Sequence, residues 1–323
     1  MNANDRITRR GFVKTAVALA AATLVVPAAW AQTQASAKEF RVGWQKGANI
    51  ALLKARGNLD RRLASVGVKT TWIEFTAGPQ MLEGLNVGSI DFASVGETPP
   101  VFAQAAGAAL SYVAFEPPSP ETEKILVPKN SPLKSVAELK GKRVVLNRGS
   151  NVHYLLLNAL KKYGLAYSDV KVTFLPPPDA RVAFESGDVD AWLIWDPFAQ
   201  AAISQIGARV LLGAPGVAEN YYFYLSTAQY AQNHPDVLKI ALEEINATAQ
   251  WVTTHFDEAA DILAPQINLS KAITRESLQH YSYGATSPLT AKVVANQQAI
   301  ADAFYELKVI PKKLDVSAVV WKP

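Results

Sequence analysis

Apolar and polar positions change period repeatedly along this chain. Phe40-Arg41-Val42-Gly43-Trp44 alternates and predicts a strand, as do residues 70–75 and 90–95. Between them the spacing turns helical. Leu52, Leu53, Leu59 and Leu63 recur through 50–64, where Gly57 weakens the pattern, and Met81, Leu82 and Leu85 share one face of 79–87. Another helix is expected over 99–106. A strand-like stretch at 125–127 and the turn-rich Pro128-Lys129-Asn130-Ser131-Pro132 come next, and then the grammar restarts. Strands are expected at 143–146, 170–175 and 189–195, and helices at 152–163, 179–185 and 197–205. Beyond Pro235 the pattern is helical to His255, with Glu243, Glu244 and His255 on its solvated face, and helical again over 287–307. Strands alternating with helices imply parallel βαβ units and an α/β fold.

The two passes resemble each other more closely than alternation requires. Trp44-Gln45-Lys46-Gly47-Ala48-Asn49 parallels Leu146-Asn147-Arg148-Gly149-Ser150-Asn151, each ending a strand and opening a helix. Gly88-Ser89-Ile90-Asp91 parallels Gly187-Asp188-Val189-Asp190, and six residues on from each Asp stand Glu97 and Asp196. Gly78-Pro79 answers Pro177-Pro178. Two similar lobes are therefore expected, with all the paired segments at the carboxyl edges of the strands, where α/β sheets bind ligands.

The chemistry of the 45–49 and 147–151 turns suits an anion. Helix N-termini offer unpaired N–H groups, glycine permits close approach, Ser150 and Asn151 can cap or donate, and Lys46 and Arg148 add charge. Plain strand-to-helix turns use the same residues, so the duplication is what favours a site. Glu97 and Asp196 could meet donors of a ligand, cap local N–H groups, or close the lobes through Lys46 or Arg148. Trp195 could form an apolar wall.

Composition narrows the classes further. The 323 residues contain no cysteine, which excludes disulfides, thiolate metal sites and a cysteine nucleophile. The four histidines, at 153, 234, 255 and 280, are scattered, and no metal or cofactor is expected. Neither a Gly-x-Gly-x-x-Gly nor a Gly-Lys-Ser/Thr loop supports nucleotide binding.

The first residues read as an address. Arg6, Arg9, Arg10 and Lys14 precede an uncharged run over 15–29 and then Ala29-Trp30-Ala31, the layout of a secretory signal cleaved after Ala31. Thr8-Arg9-Arg10-Gly11-Phe12-Val13-Lys14 resembles the twin-arginine export motif. This leader holds four of the 32 Lys+Arg and one of the 28 Asp+Glu, so the net charge of +4 falls to 28 against 27, or +1, without it. Basicity is therefore no argument for a nucleic-acid partner.

Gln45-Lys46-Gly47, Ala77-Gly78-Pro79-Gln80-Met81-Leu82-Glu83, Leu85-Asn86-Val87-Gly88-Ser89-Ile90-Asp91 and Pro99-Pro100-Val101-Phe102-Ala103-Gln104-Ala105 together resemble the aliphatic sulfonate-binding proteins of bacterial ABC importers. Ile125-Leu126-Val127-Pro128, Leu139-Lys140-Gly141-Lys142 and Asp190-Ala191-Trp192-Leu193-Ile194-Trp195-Asp196-Pro197 continue the resemblance over nearly the whole exported chain. It implies a two-lobe periplasmic binding protein fold of type II, each lobe a mixed sheet flanked by helices, with the ligand cleft between lobes. Residues 32–125 and 223–323 would build one lobe and 126–222 the other. It implies a monomeric periplasmic receptor that delivers a small organosulfonate to an ABC permease, and through it to the ATPase, for sulfur uptake. By motif, ligand contacts would come from Gln45, Lys46, Ala77, Gly78, Gly96, Glu97, Thr98, Gly149, Ser150, Asn151, Trp195 and Asp196, with His153 a weaker candidate. Taurine, a sulfate ester, nitrate or another small anion or zwitterion are the alternatives. Desulfinases of similar fold need a cysteine nucleophile, which sets an enzyme further back. The family pattern has Gly-Asp where Gly96-Glu97 stands, and a run richer in Ser and Asn where Asn151-Val152-His153 stands. Both departures leave the bound molecule open, though not its class.

Overall fold

The structure, a computed structural model, describes residues 37–322. The export motif and the cleavage site after Ala31 lie outside the described residues. Among the described residues ten strands form two sheets. The first is built from β1 (Glu39–Trp44), β2 (Lys69–Glu74), β3 (Phe92–Gly96), β4 (Leu110–Glu116) and β10 (Tyr222–Thr227), in the order β2-β1-β3-β10-β4. The second is built from β5 (Glu123–Val127), β6 (Arg143–Leu146), β7 (Lys171–Phe174), β8 (Ala191–Trp195) and β9 (Arg209–Gly213), in the order β7-β6-β8-β5-β9. Each sheet is mixed. β10 runs antiparallel to β3 and β4, and β5 antiparallel to β8 and β9, while β1–β3 and β6–β8 pair in parallel. The chain passes from the first sheet to the second through 117–122 and returns through 214–221.

Among the described residues twelve α-helices cover the sheets. They are α1 (Ala48–Arg56), α2 (Asn58–Ser65), α3 (Gly78–Asn86), α4 (Thr98–Ala105), α5 (Asn151–Lys162), α6 (Pro177–Glu185), α7 (Phe198–Ile206), α8 (Ala228–Asn233), α9 (Pro235–Val252), α10 (Phe256–Ile267), α11 (Lys271–Gln279) and α12 (Ala291–Glu306). Alternate residues of the first sheet feed two cores. Phe40, Phe92 and Tyr224 pack with Leu52, Leu63, Ile245 and Leu263 from α1, α2, α9 and α10. Ala93, Val95, Phe223 and Leu225 pack with Met81, Val101, Ile300 and Phe304 from α3, α4 and α12. A third core joins the second sheet to α5, α6 and α7 through Val145, Leu156, Phe184, Trp192 and Ala202.

Several expectations are corrected. The helix expected over 50–64 is two helices, because Gly57 adopts φ +65°, caps α1 and opens α2. Strands β4, β9 and β10 and helices α8, α10 and α11 are additions to the elements expected from the sequence. The helix beginning at Pro235 stops at Val252, and the one expected from 287 starts at Ala291, where Thr290 accepts from the Val293 N–H at 3.4 Å. One repeat landmark also moves. Asp91 and Asp190 stand at the amino ends of β3 and β8, not at the carboxyl edge. Arg41 donates to Asp91 through Nη2 at 2.6 Å and its backbone N–H at 2.8 Å, and Arg143 repeats both bonds to Asp190 at 2.8 Å. That duplication is a matched clamp between neighbouring parallel strands, and it belongs to architecture. No helix among the described residues is long and apolar enough to cross a membrane.

Candidate functional site

The turns at 45–47 and 147–150 run from the carboxyl ends of β1 and β6 into α1 and α5. Both need glycine. Gly47 has φ +133° and Gly149 φ +70°, conformations that side chains with a Cβ rarely adopt. Both also meet the opposite half of the molecule. A Cβ on Gly47 would lie 3.2 Å from the Asp196 carbonyl, and one on Gly149 would lie 3.1 Å from the Phe102 ring. Gly96, at the end of β3, is tighter still, with a Cβ there only 1.8 Å from Asn151 Nδ2. The carboxyl edges of the two sheets thus close upon one another.

Two small cavities remain at this junction. One, of about 20 Å³, is lined by Gln45, Gly78, Gly96, Pro99, Glu123, Ser150, Asn151, Trp195 and Tyr222. The other, of about 10 Å³, is lined by Gln45, Lys46, Gly47, Ile50, Ser94, Trp195, Tyr222 and Tyr281. The α3 N-terminus reaches the first at Gly78 and the α5 N-terminus at Ser150 and Asn151. Each helix end concentrates backbone donors and about half a positive charge. Ser150 turns its hydroxyl to the Asn147 carbonyl at 2.7 Å, which leaves the α5 end without a side-chain cap. At α4, by contrast, Pro99 and Pro100 remove two donors from the first turn, and the Thr98 N–H is taken by Asn151 Oδ1 at 3.2 Å. A larger cavity of about 430 Å³ abuts the first at Pro99. Phe102, Arg148, Gly149, Phe174 and Pro176 line it with others, and the Arg148 guanidinium stands 5.8 Å from the Phe174 ring centre.

Side chains lock the two halves together. Asn151 reaches from α5 to Thr98 and, through Nδ2, to Asn220. Asn220 in turn donates to the Ser119 carbonyl at 3.0 Å and the Thr122 hydroxyl at 2.7 Å. Asp196 is wholly buried. Its Oδ1 accepts from the Gln200 N–H in the first turn of α7 at 3.0 Å, and its Oδ2 meets Lys124 Nζ at 3.3 Å and His280 Nδ1 at 2.5 Å. The Tyr281 hydroxyl donates to its carbonyl at 2.6 Å. Asp196 therefore both caps and closes: Lys124 pairs with it inside the second sheet, and His280 reaches it from the other half, in place of Lys46 or Arg148. Lys46 instead faces Glu74 at 3.8 Å on the surface.

The buried carboxyls have unusual acidity. Glu97 is pushed up to about 7 by burial, with partial relief from the Tyr221 N–H, which donates to Oε2 at 3.0 Å. Glu116 is likewise pushed up to about 7 by burial, against the opposing pull of the Tyr224 hydroxyl it accepts from. Glu123 opens β5, pairs in register with Trp195 and is 1% exposed. Neither of its carboxyl oxygens makes a geometrically sound hydrogen bond. Burial first, then neighbouring Glu97, push its pKa well above the usual value, while the Asn151 amide and Lys124 pull it down.

Of the residues marked in the sequence, Gln45, Lys46, Gly78, Gly96, Ser150, Asn151 and Trp195 meet at the small cavities, and Gly149 lines the large one. Ala77 lies beneath as the N-cap of α3, Thr98 is bonded to Asn151, and Glu97 points toward Tyr221. His153 faces away from the small cavities. Its Nδ1 accepts from the Gly149 N–H at 3.3 Å and its Nε2 meets the Tyr167 hydroxyl at 3.0 Å, so it braces the glycine turn. Burial first, and Arg148 second, push its pKa down to about 4, which keeps the ring neutral. Sequence reasoning missed Ser94, Glu123, Tyr222, His280 and Tyr281. The available signal for Glu123 was a Glu-Lys pair opening a strand whose other three residues are apolar.

Comparisons with known proteins agree with this architecture. Residues 33–267 match the model of the NMT1-like family. A relative from Escherichia coli (strain K12), provisionally named an aliphatic sulfonates-binding protein, is 41% identical over 317 residues, covering 97% of each chain. The alkanesulfonate-binding protein SsuA from Xanthomonas axonopodis pv. citri, solved bound to MOPS, superposes with a TM-score of 0.84 at 40% identity, over 90% of this chain and 100% of that one. The taurine-binding periplasmic protein of Escherichia coli (strain K12) is more distant, 26% identical over 71% of this chain and 72% of its own. The chain belongs to the NMT1-like family and, within it, to the aliphatic sulfonate-binding proteins.

Proposed function

We propose that this protein is a periplasmic receptor that encloses an aliphatic sulfonate between its lobes and delivers it to an ABC permease. The observation that carries the reading is the convergence of the α3 and α5 N-termini on the cavity that also holds Gln45, Gly96 and Trp195. A sulfonate spreads one negative charge over three acceptor oxygens, which suits an array of N–H donors. No cation lines that cavity, so backbone and neutral donors do the holding. The organic tail runs past Pro99 into the larger cavity, where Phe102 and Phe174 offer apolar surface. The two sheets with their flanking helices act as the two lobes, hinged at the crossings 117–122 and 214–221, and binding draws them shut. The receptor works as a monomer, exported by its leader, and the closed form is what the permease recognises.

Calorimetry with methane-, butane- and arylsulfonates, taurine, a sulfate ester and nitrate tests the reading. Plain alkanesulfonates bind in the micromolar range or tighter. Tight binding of taurine or nitrate with no binding of alkanesulfonates overturns it.

A further inference from the structure

Glu123 is the group the sulfonate reading leaves unused. It is almost completely buried, stands at the first position of β5 and lines the cavity into which the α3 and α5 N-termini open. Its neighbours on every side are accounted for. Lys124, on the same strand, and His280, beyond α11, are both committed to Asp196. Glu97 at the start of α4 adds negative charge, and Glu116 stands beyond Tyr222. Tyr222 and Tyr281 are neutral phenols, Asn151 is an uncharged amide, and Lys46 faces Glu74 at the surface. Among the described residues nothing leaves a free cation beside this carboxyl. An ionised Glu123 next to a sulfonate would place two negative charges in contact away from water, which is strongly unfavourable. A neutral carboxylic acid removes that repulsion and supplies an O–H donor to an oxygen that seeks one.

Resting on the sulfonate reading, we infer that Glu123 grips the ligand as a neutral acid, donating its carboxyl proton to a sulfonate oxygen, so that each capture takes up one proton. With the lobes apart, water reaches Glu123 and it ionises as an ordinary carboxyl does. Closure removes the water, a solvent proton joins the carboxylate oxygen, and that O–H turns to the sulfonate. No bond to sulfur forms or breaks, and release returns the proton. A ligand whose ammonium lies close to its sulfonate would favour the ionised form instead, so the receptor is selective for a plain alkanesulfonate over a short zwitterion such as taurine. Its affinity falls as pH rises, by up to tenfold per pH unit where one proton is linked.

Calorimetry of butanesulfonate binding at pH 6, 7 and 8 tests this, run in phosphate, Tris and imidazole, whose ionisation heats differ and none of which is itself a sulfonate. The expected result is an uptake approaching one proton per ligand at pH 8, with affinity falling from pH 6 to pH 8. In Glu123→Gln, whose amide donates without titrating, the uptake disappears and the affinity becomes flat with pH. Glu123→Leu, which can neither donate nor titrate, binds at least tenfold more weakly than Glu123→Gln at every pH. Wild-type binding without proton uptake and with pH-independent affinity overturns the inference while leaving the sulfonate reading intact. Uptake that survives in Glu123→Gln reassigns the proton, to Glu97 first, and overturns it too. Affinity that rises with pH, with taurine preferred, reverses it. Failure of the wild type to bind any sulfonate at any pH removes the function reading and the inference with it.

Discussion

A single buried carboxyl can set how the protein responds to acid. Glu116 titrates near 7 in the fold and near 4.5 in an unfolded chain, because burial penalises its charged form. The folded state therefore holds the proton more tightly. Its stabilising contribution is complete below about pH 4.5 and fades as pH rises through 7, on the order of 3 kcal/mol in all. Glu116→Gln removes that slope, so thermal melts of the variant lose less stability between pH 5 and pH 8 than those of the wild type. Equal slopes would assign the pH dependence elsewhere. His153 works in the opposite sense. Its pKa is pushed down to about 4 in the fold, so its contribution is lost as pH falls from about 6.5 towards 4. Gly96 makes a different residue-scale point. A Cβ 1.8 Å from Asn151 Nδ2 does not fit the closed arrangement. Gly96→Ala is expected to cost at least tenfold in butanesulfonate affinity by calorimetry. Wild-type affinity in that variant would mean that the closed arrangement is not the one that holds ligand.

Among elements, the joint where β8 hands over to α7 is the most heavily committed. Asp196 caps α7, neutralises Lys124 from the adjacent strand and meets His280 from beyond α11. Asp196→Asn leaves Lys124, whose side chain is 11% exposed, without its counter-charge. A loss of about 3 kcal/mol in denaturant unfolding is expected, and a loss below 1 kcal/mol would show that the charge is solvated by other means. Gly57→Ala, at φ +65° between α1 and α2, should cost about 1 kcal/mol. The contrast between these joints shows what a sequence discloses. Gly57 was visible as a weakness in a helical pattern, and the Gly47 and Gly149 turns were visible through their repetition. His280 and Tyr281 were invisible, because nothing local in 271–283 records that this segment folds back onto Asp196. Glu123 was overlooked for a related reason, since apolar residues mark the strand only from Ile125 onward and nothing local places the two charges before it inside.

For the molecule as a whole, the ligand acts between two halves that are each already built. Small-angle scattering is expected to show a radius of gyration that shrinks when a saturating sulfonate is added, and an unchanged profile with confirmed binding would mean that the lobes stay closed throughout. The strand–helix alternation was legible because βαβ units are local, and the pseudo-symmetry because the two passes share a spacing. The exchange of strands was not, since β10 pairs with β3 and β4, distant partners on either side of it. That exchange also imposes a timetable. A chain growing from its amino end lays down β3 and β4 early, yet they never touch and must wait for residues 222–227 to come between them. The second sheet, whose strands all fall between 123 and 213, is complete before that bridging strand exists. The half begun first is thus finished last, and until then it carries two unpaired strand edges that invite wrong partners. Exported as proposed, such a chain would have good reason either to reach residue 227 before it starts to fold, or to be shielded until it does.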